Sequence, residues 1–169
     1  MSRKSIYYTT IYVNLYQLTL YKTDQGLVLI TTKTDQPENF AEEWLTKTFK
    51  DYQLIHDDQF FNHERDQFTA YFNGQLTRFD FTLDLHGTLF QKSIWQQLQQ
   101  IPYGETWSYS ELADSINRPE AVRAVSRAIG QNPLLIVVPC HRVIGKNKQL
   151  TGFRSGLALK KSLLQLESN

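Results

Sequence analysis

The chain opens on three closely spaced runs of β-branched and aromatic residues, 6–13, 15–21 and 27–32, which commit its opening segment to a hairpin or meander. Asp24-Gln25-Gly26 supplies the turn between the last two. Helical spacing follows. Phe40, Trp44, Leu45 and Phe49 recur within residues 38–50, and a second helical stretch over 57–73 stops at Asn73-Gly74. The pattern then changes at His86-Gly87-Thr88, after which Leu89, Phe90, Ile94, Trp95, Leu98 and Ile101 trace one helix face. Ile101-Pro102-Tyr103-Gly104 ends that helix with strong breakers. The predicted fold is therefore α/β (α+β). A small strand-rich N-terminal α/β domain spans residues 1–86, and a mainly helical C-terminal domain spans 87–169.

Hydrophobic residues make up 41% of the 169 residues and aromatics 13%, enough to fill a core, so the chain is globular and not disordered. No apolar run approaches the roughly 20 residues a membrane span needs. Met1-Ser2-Arg3-Lys4 is basic, but the threonine-rich, β-like residues after it do not form a signal peptide, and a cytoplasmic location is expected. The net charge of +1 conceals an asymmetry: residues 1–86 carry −4 and residues 87–169 carry +5. A basic second half suits a polyanionic partner, although ordinary surface variation would give the same numbers. His56, His63 and His86 are scattered with no cysteine near them, so no metal site is expected.

Ser108-Tyr109-Ser110-Glu111 matches a capping box, starting a short helix through Leu112, Ala113 and Ile116. Asn117-Arg118-Pro119 breaks it, and Pro119 suits the first position of the next helix. There, Ala121, Val122, Val125, Ala128 and Ile129 form an apolar side. Arg123, Ser126, Arg127 and Gly130, at i, i+3, i+4 and i+7, form a small, basic outer face. Two helices joined by a tight turn, the second bearing arginines, form the layout of a DNA-binding helix-turn-helix. A plain helix pair would have the same spacing.

Leu134-Leu135-Ile136-Val137-Val138 reads as a buried strand running into Pro139-Cys140-His141-Arg142-Val143. On that reading Cys140, the only cysteine, sits where the strand ends, at the rim of the fold. A lone thiol forms no internal disulfide and belongs in a reducing compartment. It attacks as thiolate and needs a base, for which His141 is the adjacent candidate. Neighbours in extended chain point to opposite faces, so either the backbone turns after Pro139 or a water carries the proton. Glu167, ending the helix-like run 157–166, is the carboxylate best placed in sequence to orient the imidazole. The competing reading of Cys140 is an inert buried cysteine.

Pro139-Cys140-His141-Arg142-Val143 resembles the active-site signature of the 6-O-alkylguanine-DNA alkyltransferases, in their bacterial form. The likeness runs from about Phe90 to Glu167, through Ile101-Pro102-Tyr103-Gly104-Glu105, Ser108-Tyr109, Arg123-Ala124-Val125, Asn132-Pro133 and Gly156-Leu157. The N-terminal half resembles the family only in size and layout. The resemblance implies irreversible transfer of an alkyl group from 6-O-alkylguanine in double-stranded DNA to Cys140, in a single turnover. The candidate second substrate is 4-O-methylthymine. It implies His141 as a base acting through water, Glu167 as its orienter, and Asn132 as the bridge between the helix-turn-helix and the active-site loop. Arg123 would fill the base stack after the nucleotide is flipped out, and Tyr109 would protonate the departing guanine. Ser126, Arg127 and Gly130 would lie on DNA in the minor groove, and Cys140 and Val143 backbone groups would bond the purine.

The chain also departs from the family. Phe153-Arg154 stands where many members have tyrosine-serine, which puts bulky adducts in question but not methyl transfer. Some relatives hold an N-terminal zinc; with no cysteine before Cys140, none is expected here. No cofactor is expected, and the protein is expected to act as a monomer. Two other readings remain: a helix-turn-helix protein that binds lesions without chemistry, and a cysteine hydrolase that turns over.

Overall fold

The computed structural model describes residues 2–169, which divide into two compact units, the first running to His86 and the second Gly87–Asn169. In the first unit β1 (Lys4–Val13), β2 (Tyr16–Thr23) and β3 (Gly26–Thr32) form an antiparallel meander. β4 (Tyr52–His56) then returns beside β1 in parallel, giving the order β3-β2-β1-β4. Gly26, at φ +145°, is required at the head of β3, because a Cβ there would lie 2.4 Å from the Thr82 carbonyl oxygen.

No element is predicted from the sequence for residues 51–56. β4 is a five-residue edge strand with mostly exposed side chains, so neither apolar alternation nor length announces it. Its register comes from backbone pairing with β1. α1 (Phe40–Phe49) buries Leu45 in a cluster with Ile6, Tyr21, Val28 and Leu29. The predicted helical stretch 57–73 resolves into a 3-10 turn, Gln59–Phe61, and α2 (Asn62–Phe72), which stops before Gly74 at φ +72°. Phe68 and Tyr71 of α2 pack against Phe79, with ring centroids 5.0 and 5.1 Å apart. Lys22 meets Glu64 at 2.7 Å beneath the Phe60 ring.

The second unit begins with α3 (Leu89–Leu98), capped reciprocally by Thr88 and Gln91, which buries Ile94, Trp95 and Leu98. Trp95 donates its indole N–H to the Ala128 carbonyl at 2.9 Å and so ties α3 to α5. β5 (Trp107–Ser108) leads directly into α4 (Tyr109–Ser115), whose Ser108/Glu111 capping box is formed in full. Asn117 turns the chain at φ +58°. Pro119 does not open the α-helix itself: Pro119–Ala121 is a 3-10 turn, and α5 follows as Val122–Gly130. Val125, Ala128 and Ile129 are buried, while Arg123, Ser126, Arg127 and Gly130 are exposed.

The predicted strand at 134–138 does not exist as one. Leu134, Leu135, Ile136 and Val138 are buried as their composition requires, but they lie in a compact turn. The Asn132 carboxamide accepts from the Leu134 amide at 2.9 Å and donates to the Val138 carbonyl at 2.8 Å. The Val138 amide reaches back to the Leu134 carbonyl at 2.9 Å. These bonds satisfy the buried backbone locally and replace the ladder a strand would need. Ile136 sits at φ +74°, a strained conformation for a β-branched residue that no periodicity signals. A third 3-10 turn, Cys140–Arg142, then feeds β6 (Val143–Ile144), which pairs in parallel with β5. α6 (Leu157–Glu167) closes the unit.

Candidate active site and nucleic-acid interface

Cys140 is not at a strand end on the rim. It opens the 3-10 turn and is 6% exposed, because the Asn132-held turn carries the chain inward before Pro139. A cavity of about 20 Å³ touches it, lined by Gly130, Asn132, Leu135, Phe153 and Arg154 among others. That volume accepts a water molecule and not a purine. Gly130 belongs both to this lining and to the exposed face of α5, so the thiol opens towards the end of that helix.

Cys140 and His141 lie in a 3-10 turn, so the alternation of an extended chain does not apply to them. His141 is fully buried, and its Nε2 lies 2.7 Å from Glu167 Oε1. Glu167 also receives two bonds from Arg142, Nε at 2.8 Å and Nη2 at 2.9 Å, while Arg142 Nη1 donates to the Ile101 carbonyl at 2.7 Å. With a guanidinium on the same carboxyl, Glu167 is a carboxylate, which assigns the imidazole proton to Nε2 and leaves a lone pair on Nδ1. Nδ1 makes no hydrogen bond within the protein. Burial lowers the His141 pKa from its ordinary range, and the Arg142 and Lys160 charges add to this against the opposing pull of Glu167. Burial likewise raises the Cys140 pKa, opposed by the hydrogen bond from Asn132 and by the Arg154 and Lys160 charges. At rest the pair is a neutral thiol and a neutral imidazole, with cations positioned to favour the thiolate once it forms.

Two members of this constellation escape a reading of local sequence. Arg142 lies two residues after Cys140, but its partners lie 25 and 41 residues away. Lys160, 1% exposed on α6, donates to the carbonyls of Val143 at 2.7 Å and Thr151 at 2.8 Å. A lysine inside the helical run 157–166 is an available signal for it, since its position falls on the buried face. Val143 donates its amide to the Cys140 carbonyl, and its carbonyl accepts from Lys160.

An open cleft of about 380 Å³ is lined by Tyr109, Ser110, Val122, Arg123, Ser126 and Lys146. Tyr109 and Arg123 thus face one space from α4 and α5. Among the described residues neither Arg123 nor Arg127 forms an ion pair, so both guanidinium groups are free for phosphate or base contacts. His63 is hydrogen-bonded to Asp80 at 2.6 Å, while His56 and His86 lie by Asp58 and Asp84 at 3.1 and 3.0 Å. Among the described residues no helix is long and apolar enough to cross a membrane.

Fold and site together define an α+β protein that joins a helix-turn-helix to a histidine-backed cysteine. The family described as 6-O-methylguanine DNA methyltransferase matches both units, its DNA binding domain at residues 89–169 and its ribonuclease-like domain at residues 6–85. The second match extends the resemblance to the N-terminal half, where motifs alone carry none. The inducible methylated-DNA–protein-cysteine methyltransferase of Bacillus subtilis is 40% identical, over 98% of this chain and 92% of its own. The crystal structure of the Mycobacterium tuberculosis O6-methylguanine methyltransferase superposes with a TM-score of 0.83 at 42% identity, covering 96% of this chain and 93% of that one. A Mycobacterium tuberculosis relative solved in complex with DNA gives 0.82 at 40% identity, over 97% and 92%. The chain belongs to the methylated-DNA–protein-cysteine methyltransferase family.

Proposed function

We propose that this protein repairs DNA by direct reversal, moving a methyl group from the 6-oxygen of guanine onto Cys140 in a single irreversible turnover. The observation that carries the reading is a buried thiol, next to a neutral imidazole held at 2.7 Å by Glu167, opening at the end of an arginine-bearing helix. The methyl carbon cannot be reached inside a duplex, so the nucleotide must leave the stack at a cost of a few kcal/mol. Arg123 fills the gap and offsets part of that cost. Ser126, Arg127 and Gly130 hold α5 against the groove.

The thiol proton passes through a bridging water to His141 Nδ1, and the imidazolium is stabilised by Glu167. The thiolate Sγ then attacks the methyl carbon. As the S–C bond forms, the C–O bond breaks, and its electron pair returns to the purine, which takes a proton from Tyr109 on leaving. The products are a thioether and guanine, and no step calls for a cofactor. Because the thiol cavity holds only a water, Phe153 and Arg154 must yield to admit the base. This favours methyl over bulkier adducts, with 4-O-methylthymine a second substrate to test. The thiol is the reagent and has to stay reduced, which suits the cytoplasm.

The test is the intact mass of the protein after incubation with duplex DNA carrying one 6-O-methylguanine. One added methyl per chain, absent in Cys140→Ser, is expected. Bound DNA with no added mass would leave a lesion-binding protein, and repeated turnover on esters or amides would indicate a hydrolase.

A further inference from the structure

Between β6 and α6 the chain makes a tight loop closed by the Gly145 amide on the Gln149 carbonyl at 2.8 Å, with Lys148 at φ +60°. The loop ends at Thr151, and both of its flanks are tied to one buried cation. Lys160 holds the carbonyl of Val143 before the loop and that of Thr151 after it. Thr151 is therefore fixed with respect to the turn that carries Cys140. Its side chain points the other way, to α4, where Oγ1 lies 2.9 Å from the Tyr109 hydroxyl.

We infer that Thr151 is a positioning residue for the transfer, its hydroxyl donating to the Tyr109 oxygen so that the phenolic proton is left free for the departing purine. This deepens the reading above, in which Tyr109 gives that proton. The direction of the bond follows from the chemistry: a phenol that donates to Thr151 has no proton to offer elsewhere, whereas a threonine has both a proton and lone pairs. As the phenolic proton moves to the ring nitrogen, negative charge builds on the Tyr109 oxygen, which is later reprotonated from solvent. A hydrogen bond to a charged oxygen is shorter and stronger than one to a neutral oxygen. The Thr151 bond is thus worth more in the transition state than in the resting protein, the requirement for accelerating a step and not merely tightening binding.

Single-turnover kinetics on a 6-O-methylguanine duplex test this with Thr151→Val, close in shape but without the hydroxyl, and Thr151→Ser, which keeps it. We expect Thr151→Val to lower the saturating transfer rate by about tenfold, the scale of one strengthened hydrogen bond, with DNA affinity changed less than about twofold. Thr151→Ser should recover most of the rate, and Thr151→Val added to Tyr109→Phe should cost nothing more. A wild-type rate in Thr151→Val, equal losses in Val and Ser, or a full further loss in the Tyr109→Phe background would each overturn the inference. A wild-type rate in Tyr109→Phe would instead remove the role given to Tyr109 and this inference with it. Methylation of Cys140, read by mass in the same samples, remains independent of both.

Discussion

At the scale of single residues, the site is governed by burial opposed by a few aimed partners. His141 is held neutral by desolvation despite a carboxylate at 2.7 Å. Its folded-state pKa lies below that of a free imidazole, about 6.5, so the base stays available as pH falls through that value. We expect the transfer rate at pH 6 to lie within twofold of that at pH 7.5, where an unshifted imidazole would lose about three-quarters of its neutral form. The same shift makes the unfolded chain take up a proton first. Its contribution to stability is full above about pH 6.5 and declines as pH drops towards the folded pKa, which denaturant midpoints at pH 7.5, 6.5 and 5.5 would register. Asn132 is the second sensitive residue, serving the Leu134 amide and the Val138 carbonyl at once. Asn132→Ala leaves both buried groups unpaired, and a loss of about 2–4 kcal/mol is expected from urea unfolding, together with slower transfer as the Cys140 turn loosens. Cys140 and His141 are legible in sequence because they are covalent neighbours with distinctive chemistry. The roles of Arg142 and Lys160 are not, because their partners are brought in by the fold.

At the scale of elements, the periodic helices are the legible part. α3, α4, α5 and α6 carry apolar stripes and, in α3 and α4, reciprocal caps, so local sequence suffices to place them. The segment 132–138 shows where that approach fails. Five apolar residues in a row fix burial but not conformation, and a side-chain amide three places upstream of Leu135 redirects the backbone. β4 fails for the opposite reason, being too exposed to show a pattern. A buried bond from outside α5, Trp95 to the Ala128 carbonyl, adds to the packing of Val125, Ala128 and Ile129 in holding it. Trp95→Phe keeps most of the packing but loses that bond. A loss of about 1–3 kcal/mol is expected in unfolding experiments, with weaker DNA binding because α5 is less firmly held.

At the scale of the whole molecule, charge is divided between the two units, with −4 on residues 1–86 and +5 on residues 87–169. A partner that is a polyanion is then met by the second unit, and its affinity should fall steeply with salt. Replacing Arg127, exposed and without an ion-pair partner, by alanine is expected to reduce the slope of log affinity against log salt by about one. The effect should be the same for methylated and unmethylated duplexes, since a phosphate contact carries no lesion information; binding titrations at several salt concentrations on both duplexes would measure it.

The sequence by itself determined the opening three-stranded meander, the periodic helices, the capped helix-turn-helix and the adjacency of a lone cysteine to a histidine. Each of these is encoded within a few residues, by periodicity, capping chemistry or covalent adjacency. Tertiary structure alone decided that 134–138 is a turn, that residues 52–56 complete a sheet, that Glu167 reaches His141 and Arg142 across 26 and 25 residues, and that Thr151 meets Tyr109 across 42. For the last three the physical reason is shared: each joins groups far apart in the chain, and which partner a polar group finds is then set by packing at a distance that no local pattern records.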